Sequence, residues 1–116
     1  MNVGRQHKAM FFSAIVPFHH DLVKLRKCLV AIRTAAERLP AGTLLCETIV
    51  VADGSPEDPL DIAAELGATV VPIEGPRGPA TARNCGAAVA SGNVLVFIDS
   101  DVVIDDAACA DISFPT

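Results

Sequence analysis

A chain of 116 residues suffices for one small domain and not two. Hydrophobic residues make up 51% of it, enough for a packed core and too many for wholesale disorder. Nine Lys plus Arg against 14 Asp plus Glu leave a net charge of −5. There is no basic cluster, no Trp and no Tyr, which excludes a nucleic-acid backbone and a base-stacking platform as partners.

Residues 1–8 read as a loose tail. Residues 10–18 are apolar and follow basic residues, yet His19-His20-Asp21 stands where a signal peptide would need a small-residue cleavage site. The run is also too short to span a bilayer. Its β-rich part, residues 11–16, is expected to form a first buried strand ended by Pro17, since proline cannot extend a ladder. Leu22, Leu25, Leu29, Ile32, Ala36 and Leu39 then repeat at steps of three and four, which predicts one face of a helix. Asp21 is its expected N-cap, and Pro40-Ala41-Gly42 its stop.

Residues 48–52 (Thr-Ile-Val-Val-Ala) form a second predicted strand, ending on the carboxylate of Asp53. Gly54-Ser55-Pro56 is a turn. Asp58-Pro59 opens a short helix running to about Leu66, with Gly67 in the C′ position. Residues 68–73 read as a third strand, and Pro72 inside it predicts a place at the sheet edge. After the loop Glu-Gly-Pro-Arg-Gly-Pro (74–79), Gly78 and Pro79 open a third helix as N-cap and N1. Its body, residues 80–90, is rich in Ala and Gly and suited to packing close on a sheet.

Residues 94–98 (Val-Leu-Val-Phe-Ile) run apolar without a break and then stop at Asp99-Ser100-Asp101. Such a run predicts a strand buried on both faces. Residues two apart in an extended chain point the same way, so Asp99 and Asp101 would repel each other unless a cation lay between them. Hard Mg²⁺ or Mn²⁺ suits such oxygen ligands; the plainer alternative is that Asp and Ser end the strand as turn residues. Beyond them, Asp105-Asp106 could cap a further short helix.

The order β-α-β-α-β-α-β implies an α/β fold: an open, mainly parallel sheet of about four strands, with right-handed crossovers and helices on its faces. The exits of strands one, two and four would then gather Pro17, Asp53, Asp99 and Asp101 on one rim, where open parallel sheets bind ligands. The cysteines at 28, 46, 85 and 109 show no CxxC spacing. They read as reduced, mostly buried apolar residues of a cytosolic protein.

Four segments together resemble the nucleotide-sugar-binding, N-terminal half of the family 2 glycosyltransferases, which have the GT-A, Rossmann-like fold. They are residues 14–20 (Ala-Ile-Val-Pro-Phe-His-His), 49–55 (Ile-Val-Val-Ala-Asp-Gly-Ser), 78–86 (Gly-Pro-Ala-Thr-Ala-Arg-Asn-Cys-Gly) and 97–101 (Phe-Ile-Asp-Ser-Asp). The resemblance covers about residues 13–106. It implies a nucleotide-diphospho-sugar donor, with a UDP-sugar expected, and a hydroxyl acceptor. Pro17 and Phe18 would border the base, with His19 beside the nucleotide, and Asp53 would accept a hydrogen bond from the base edge. Arg83 would lie near the base or diphosphate. Asp99 and Ser100 would stand near the ribose, and Asp99 and Asp101 would hold Mn²⁺ or Mg²⁺ as a DxD motif.

Two departures stand out. Ala52 replaces an acidic residue that the family commonly carries before the position of Asp53. The sequence also ends 15 residues after Asp101, so the family's acceptor half and catalytic base are expected to lie outside it, and membrane association stays open for the intact protein. Arg83, near a helix start where a cation is unfavourable, should have an anion nearby. The loop at 75–79 reads as a lid or plain connector, not a Walker motif. A rival reading is an assembly module that dimerises through its sheet, with strands one and four near an exposed edge. A sugar nucleotidyltransferase is a weaker rival, because the turn after strand one, Pro17 to Asp21, has no glycine.

Overall fold

The computed structural model describes residues 10–99. The expected tail, Ser100, Asp101, Cys109 and the capping pair at 105–106 lie outside them. Seven elements follow in order: β1 (Met10–Phe18), α1 (Leu22–Ala36), β2 (Thr43–Asp53), α2 (Leu60–Glu65), β3 (Thr69–Ile73), α3 (Pro79–Val89) and β4 (Val94–Phe97). The four strands form one sheet in the order β3-β2-β1-β4, every pairing parallel. Pro72 lies on an edge strand, as its missing N–H requires.

The side-chain alternation of β1 sorts the core into two layers. Phe12, Ala14, Val16 and Phe18 face α1, packing on Leu25, Cys28, Leu29 and Ile32. Ile15 faces the other way with Ile49 and Val51, against Ala82 of α3. Helices therefore cover both sides of the sheet, which explains why β1 and β2 read as continuous apolar runs. Asp21 caps α1, its carboxylate accepting the Lys24 N–H at 3.1 Å. The predicted stripe holds, with Cys28 added to it, but α1 ends at Ala36, three residues before Leu39. From there Arg38 and Leu39 donate to Ala35 and Ala36, so the last turn tightens from i−4 to i−3 bonding. Past α2, Gly67 (φ +73°) donates to Ala64, and Ala68 donates to Ala63, a Schellman ending.

Three strand expectations need correction. β1 does not stop at Pro17: it runs to Phe18, with Pro17 paired to Val51 on β2. Odd residues of β1 carry the ladder to β4, since Asn93 donates to Phe11 and Ile98 to Ile15. Pro17 is the next residue in that alternation and has no N–H, so the ladder to β4 stops there and the chain is released at Asp99. β2 begins at Thr43, five residues early, because β1 supplies partners from Met10 onward. The register slips between Phe12 and Ser13, which leaves Cys46 outside the pairing and exposed. Of the three described cysteines only Cys28 is buried, contrary to the expectation for the set. Finally, β4 is not buried on both faces: it forms the edge of the described sheet, and Phe97 is 45% exposed. β1, expected near an edge, lies inside.

Candidate nucleotide-binding site

Because all strands run the same way, the exits of β1, β2 and β4 meet at one edge of the sheet. A cavity of about 450 Å³ opens there. Pro17, Phe18, His19, Asp53 and Asp99 of the expected set line it, together with His20, Asp21, Lys24, Pro76, Gly78 and Pro79. Residues up to 82 positions apart in the chain share this wall. Lys24, and the loop wall at Pro76–Pro79, were missed in the sequence. Lys24 lies off the apolar stripe of α1, yet its place in the first turn sets it against the strand exits. The loop signal was present in Glu-Gly-Pro-Arg-Gly-Pro, but nothing local says which way such a loop folds.

Asp53 ends β2 nearly buried, at 6% exposure. Its Oδ1 accepts the Arg77 N–H at 2.7 Å and its Oδ2 the Gly78 N–H at 2.9 Å. The Asp53 carbonyl accepts from His19 Nδ1 at 2.9 Å, which puts a proton on Nδ1. His20 meets the His19 ring edge-on, with centroids 5.4 Å apart. Glu57, from the loop after β2, accepts the Asp21 N–H at 2.6 Å and ties the start of α1 to the same edge.

Arg83 stands in the second turn of α3 and reaches Asp99, with Nη2 to Oδ1 at 3.2 Å. The anion that its position demanded is therefore Asp99. Their side chains are 38% and 51% exposed, so the pair contributes little to stability and stays open to exchange for another ligand. The Cys28 thiol lies 3.9 Å from the Asp99 carbonyl, a weak bond that anchors the β4 exit to α1. Among the described residues, no three His, Cys, Asp or Glu side chains stand together as a metal cluster. Ser100 and Asp101 fall outside the described residues.

The charged groups lining the cavity are three carboxylates, Asp21, Asp53 and Asp99, and one ammonium, Lys24. A bare diphosphate would be repelled by such a wall, whereas one accompanied by a divalent cation would not. The Phe18 side chain is 1% exposed and packs in the core against α1, whereas Pro17 supplies apolar surface on the same wall as the Asp53 carboxylate. That combination suits a flat, partly polar ring with an anionic tail.

No curated protein sequence matches the chain. S. aureus TarS is similar in structure, with a TM-score of 0.69 and 28% identity over 88% of this chain and 31% of that one. It has also been solved in complex with UDP. Glucosyl-3-phosphoglycerate synthase from Mycobacterium tuberculosis, in complex with Mn²⁺, UDP and glucosyl-3-phosphoglycerate, gives a TM-score of 0.59 and 26% identity over 78% of this chain and 33% of that one. The mannosyltransferase PcManGT from Pyrobaculum calidifontis, in complex with GDP-Man and Mn²⁺, shares the fold at a TM-score of 0.61, with 20% identity over 80% of this chain and 28% of that one. The chain thus spans about a third of the length of each. The family model described as Glycosyl transferase family 2 matches residues 13–112, and the chain belongs to that family.

Proposed function

We propose that the cavity binds a nucleoside-diphosphate sugar and that the chain is the donor-binding part of a family 2 glycosyltransferase acting on a hydroxyl acceptor. The observation that carries this reading is the convergence of Pro17, Phe18, His19, Asp53 and Asp99 on one cavity at the C-terminal edge of a parallel sheet. Pro17 borders the base at the β1 exit, where the Phe18 side chain is held in the core, and Asp53 accepts from a base N–H through acceptor capacity left beside its two backbone donors. His19 stands beside the nucleotide. Arg83 and Lys24 supply the cations for the diphosphate. Asp99 and Ser100 stand near the ribose. A UDP-sugar is the expected donor, since two of the similar structures hold UDP.

The donor set fits a hard divalent ion. The Asp99 carboxylate stands at the cavity, Asp101 follows two residues later, and the phosphates of the donor bring further oxygens. Mn²⁺ or Mg²⁺, when bound, would neutralise the charge that develops on the departing nucleoside diphosphate. The chain's own part is to orient the donor, hold the diphosphate and limit water at the sugar linkage. No candidate catalytic base is assigned among these residues, so deprotonation of the acceptor falls to groups elsewhere in an intact enzyme.

Calorimetric titration with UDP, GDP and TDP, with and without Mn²⁺, tests the reading. A metal-dependent UDP signal is expected from the native chain and is expected to vanish in Asp101→Ala. UDP binding that ignores both the metal and the substitution would sink the metal assignment. No binding of any of the three nucleotides would sink the donor site itself.

A further inference from the structure

We infer that Asp53 is a positioning residue: its carboxylate latches the loop at 74–78 and so builds one wall of the cavity before any nucleotide arrives. This rests on the donor-site reading and adds a second duty to one of its residues.

The two carboxylate oxygens divide the work, Oδ1 taking the Arg77 N–H and Oδ2 the Gly78 N–H. Those consecutive donors lie at the start of α3, where Gly78 is the N-cap and no side chain of the helix itself caps it. Successive N–H groups at a helix start form a nest for an anion, and Asp53 fills it from across the sheet. Gly78 holds φ at +98°, which opens the nest at no steric cost to glycine alone.

The fit around the latch leaves no room for slack. A Cβ on Gly75 would overlap Asp53 Oδ1. A Cβ on Gly54 would overlap the backbone of Gly75 and approach Pro76 N to 2.7 Å. Gly54 donates to Ile73 at 3.0 Å, which closes the other side of the contact between the β2 exit and the loop. Bare backbone is thus required on both strands of the contact. The loop contributes Pro76, Gly78 and Pro79 to the cavity, so its position sets the cavity's shape. A wall formed in advance lowers the ordering cost of binding. The loop predicted as a lid or connector is therefore fastened, and the fastener is a residue whose sequence signature suggested only a ligand contact.

The test is amide hydrogen exchange on the nucleotide-free chain, followed by titration with UDP and Mn²⁺. Asp53→Asn keeps the volume but presents an amide N–H₂ to one of the two backbone donors. The Arg77 and Gly78 amides are expected to exchange about tenfold faster or more, with the Ile15 and Val50 amides and the melting temperature unchanged. UDP affinity is expected to fall by about tenfold alongside. Gly75→Ala leaves Asp53 itself unaltered but sets a Cβ against its Oδ1 and so forces the loop off it; the position lies on an exposed loop, and the variant is expected to reproduce both effects. Should Asp53→Asn fail to fold, that variant decides. Unchanged Arg77 and Gly78 protection in Asp53→Asn, or in Gly75→Ala, would overturn the latch, whatever the affinity does. If the native chain binds no nucleotide, the donor-site reading fails while the exchange result still judges the latch.

Discussion

Two carboxylates of β2 show how one kind of group serves different ends. Asp53 at the exit holds the cavity loop, as argued above. Glu47, six residues earlier in the same strand, meets the chain where it enters β4. Its carboxylate accepts from the Ser91 N–H and, at 2.7 Å, from the Ser13 hydroxyl, which itself accepts the Gly92 N–H at 2.9 Å. One side chain therefore joins β1, β2 and the turn between α3 and β4. The bond from Ser91, then that from Ser13, holds the Glu47 carboxyl below its ordinary value of 4.5, against a smaller opposing effect of burial. A depressed folded value means stability that is present above the unfolded pKa and lost as pH falls through the folded one. Glu47→Gln is expected to destabilise by about 1 kcal/mol at neutral pH, a modest figure because the group is only partly covered. The gap between the native and Gln chains should close as urea unfolding is repeated below about pH 4. A gap independent of pH would show that the charge of Glu47 has no part in holding the turn.

At the scale of elements, the close approach of α3 to the sheet is the packing feature on which the site depends. Gly86 is buried over β1 and β2, where an added Cβ would lie 2.5 Å from Ile15 Cγ2 and 3.1 Å from Val51 Cγ2. Alanine in place of glycine gains about 1 kcal/mol of helix propensity. Overpacking a fully buried side chain of a central strand costs about 1–3 kcal/mol. The approach is close and Ile15 is 0% exposed, so the steric cost wins. Gly86→Ala is expected to lose about 1–2 kcal/mol in chemical denaturation, and a stabilised variant would show that the helix can lift freely. Lifting α3 would also carry Arg83 away from Asp99, which links core packing to the site. The Ala and Gly content of this helix was readable as a sign of close packing. Its partner strands were not, because the contact joins residues from three elements.

At the scale of the molecule, the described residues form a small parallel sheet with one edge strand, β3, marked by proline and the other, β4, apolar. Among the described residues Phe97 and Phe11 are both over two-fifths exposed, and both belong to the face that α3 covers in part. No described helix is long and apolar enough to cross a membrane. We propose that this edge pairs with a second copy when the 116 residues stand alone, since an unpaired apolar strand is a template for another chain. Light scattering is expected to show a dimer that strengthens with concentration, and a monomer at the highest concentration reached would refute it.

The sequence by itself determined the element order, the parallel class of the sheet, the caps at Asp21 and Gly78 and the edge position of Pro72. These follow from periodicity, from missing or available N–H groups and from glycine's backbone freedom, all of which act within a few residues. It also placed Asp53 and Asp99 at strand exits, where a parallel sheet must bring them to one edge. Only the tertiary structure decided that Pro17 stays inside β1, that β4 lies at the edge of the described sheet, that Lys24 joins the cavity, and that Asp53 is bound to the backbone of a loop 24 residues away. Each of these depends on which strands become neighbours and how closely loops cross, and such long-range choices leave no local pattern in the chain.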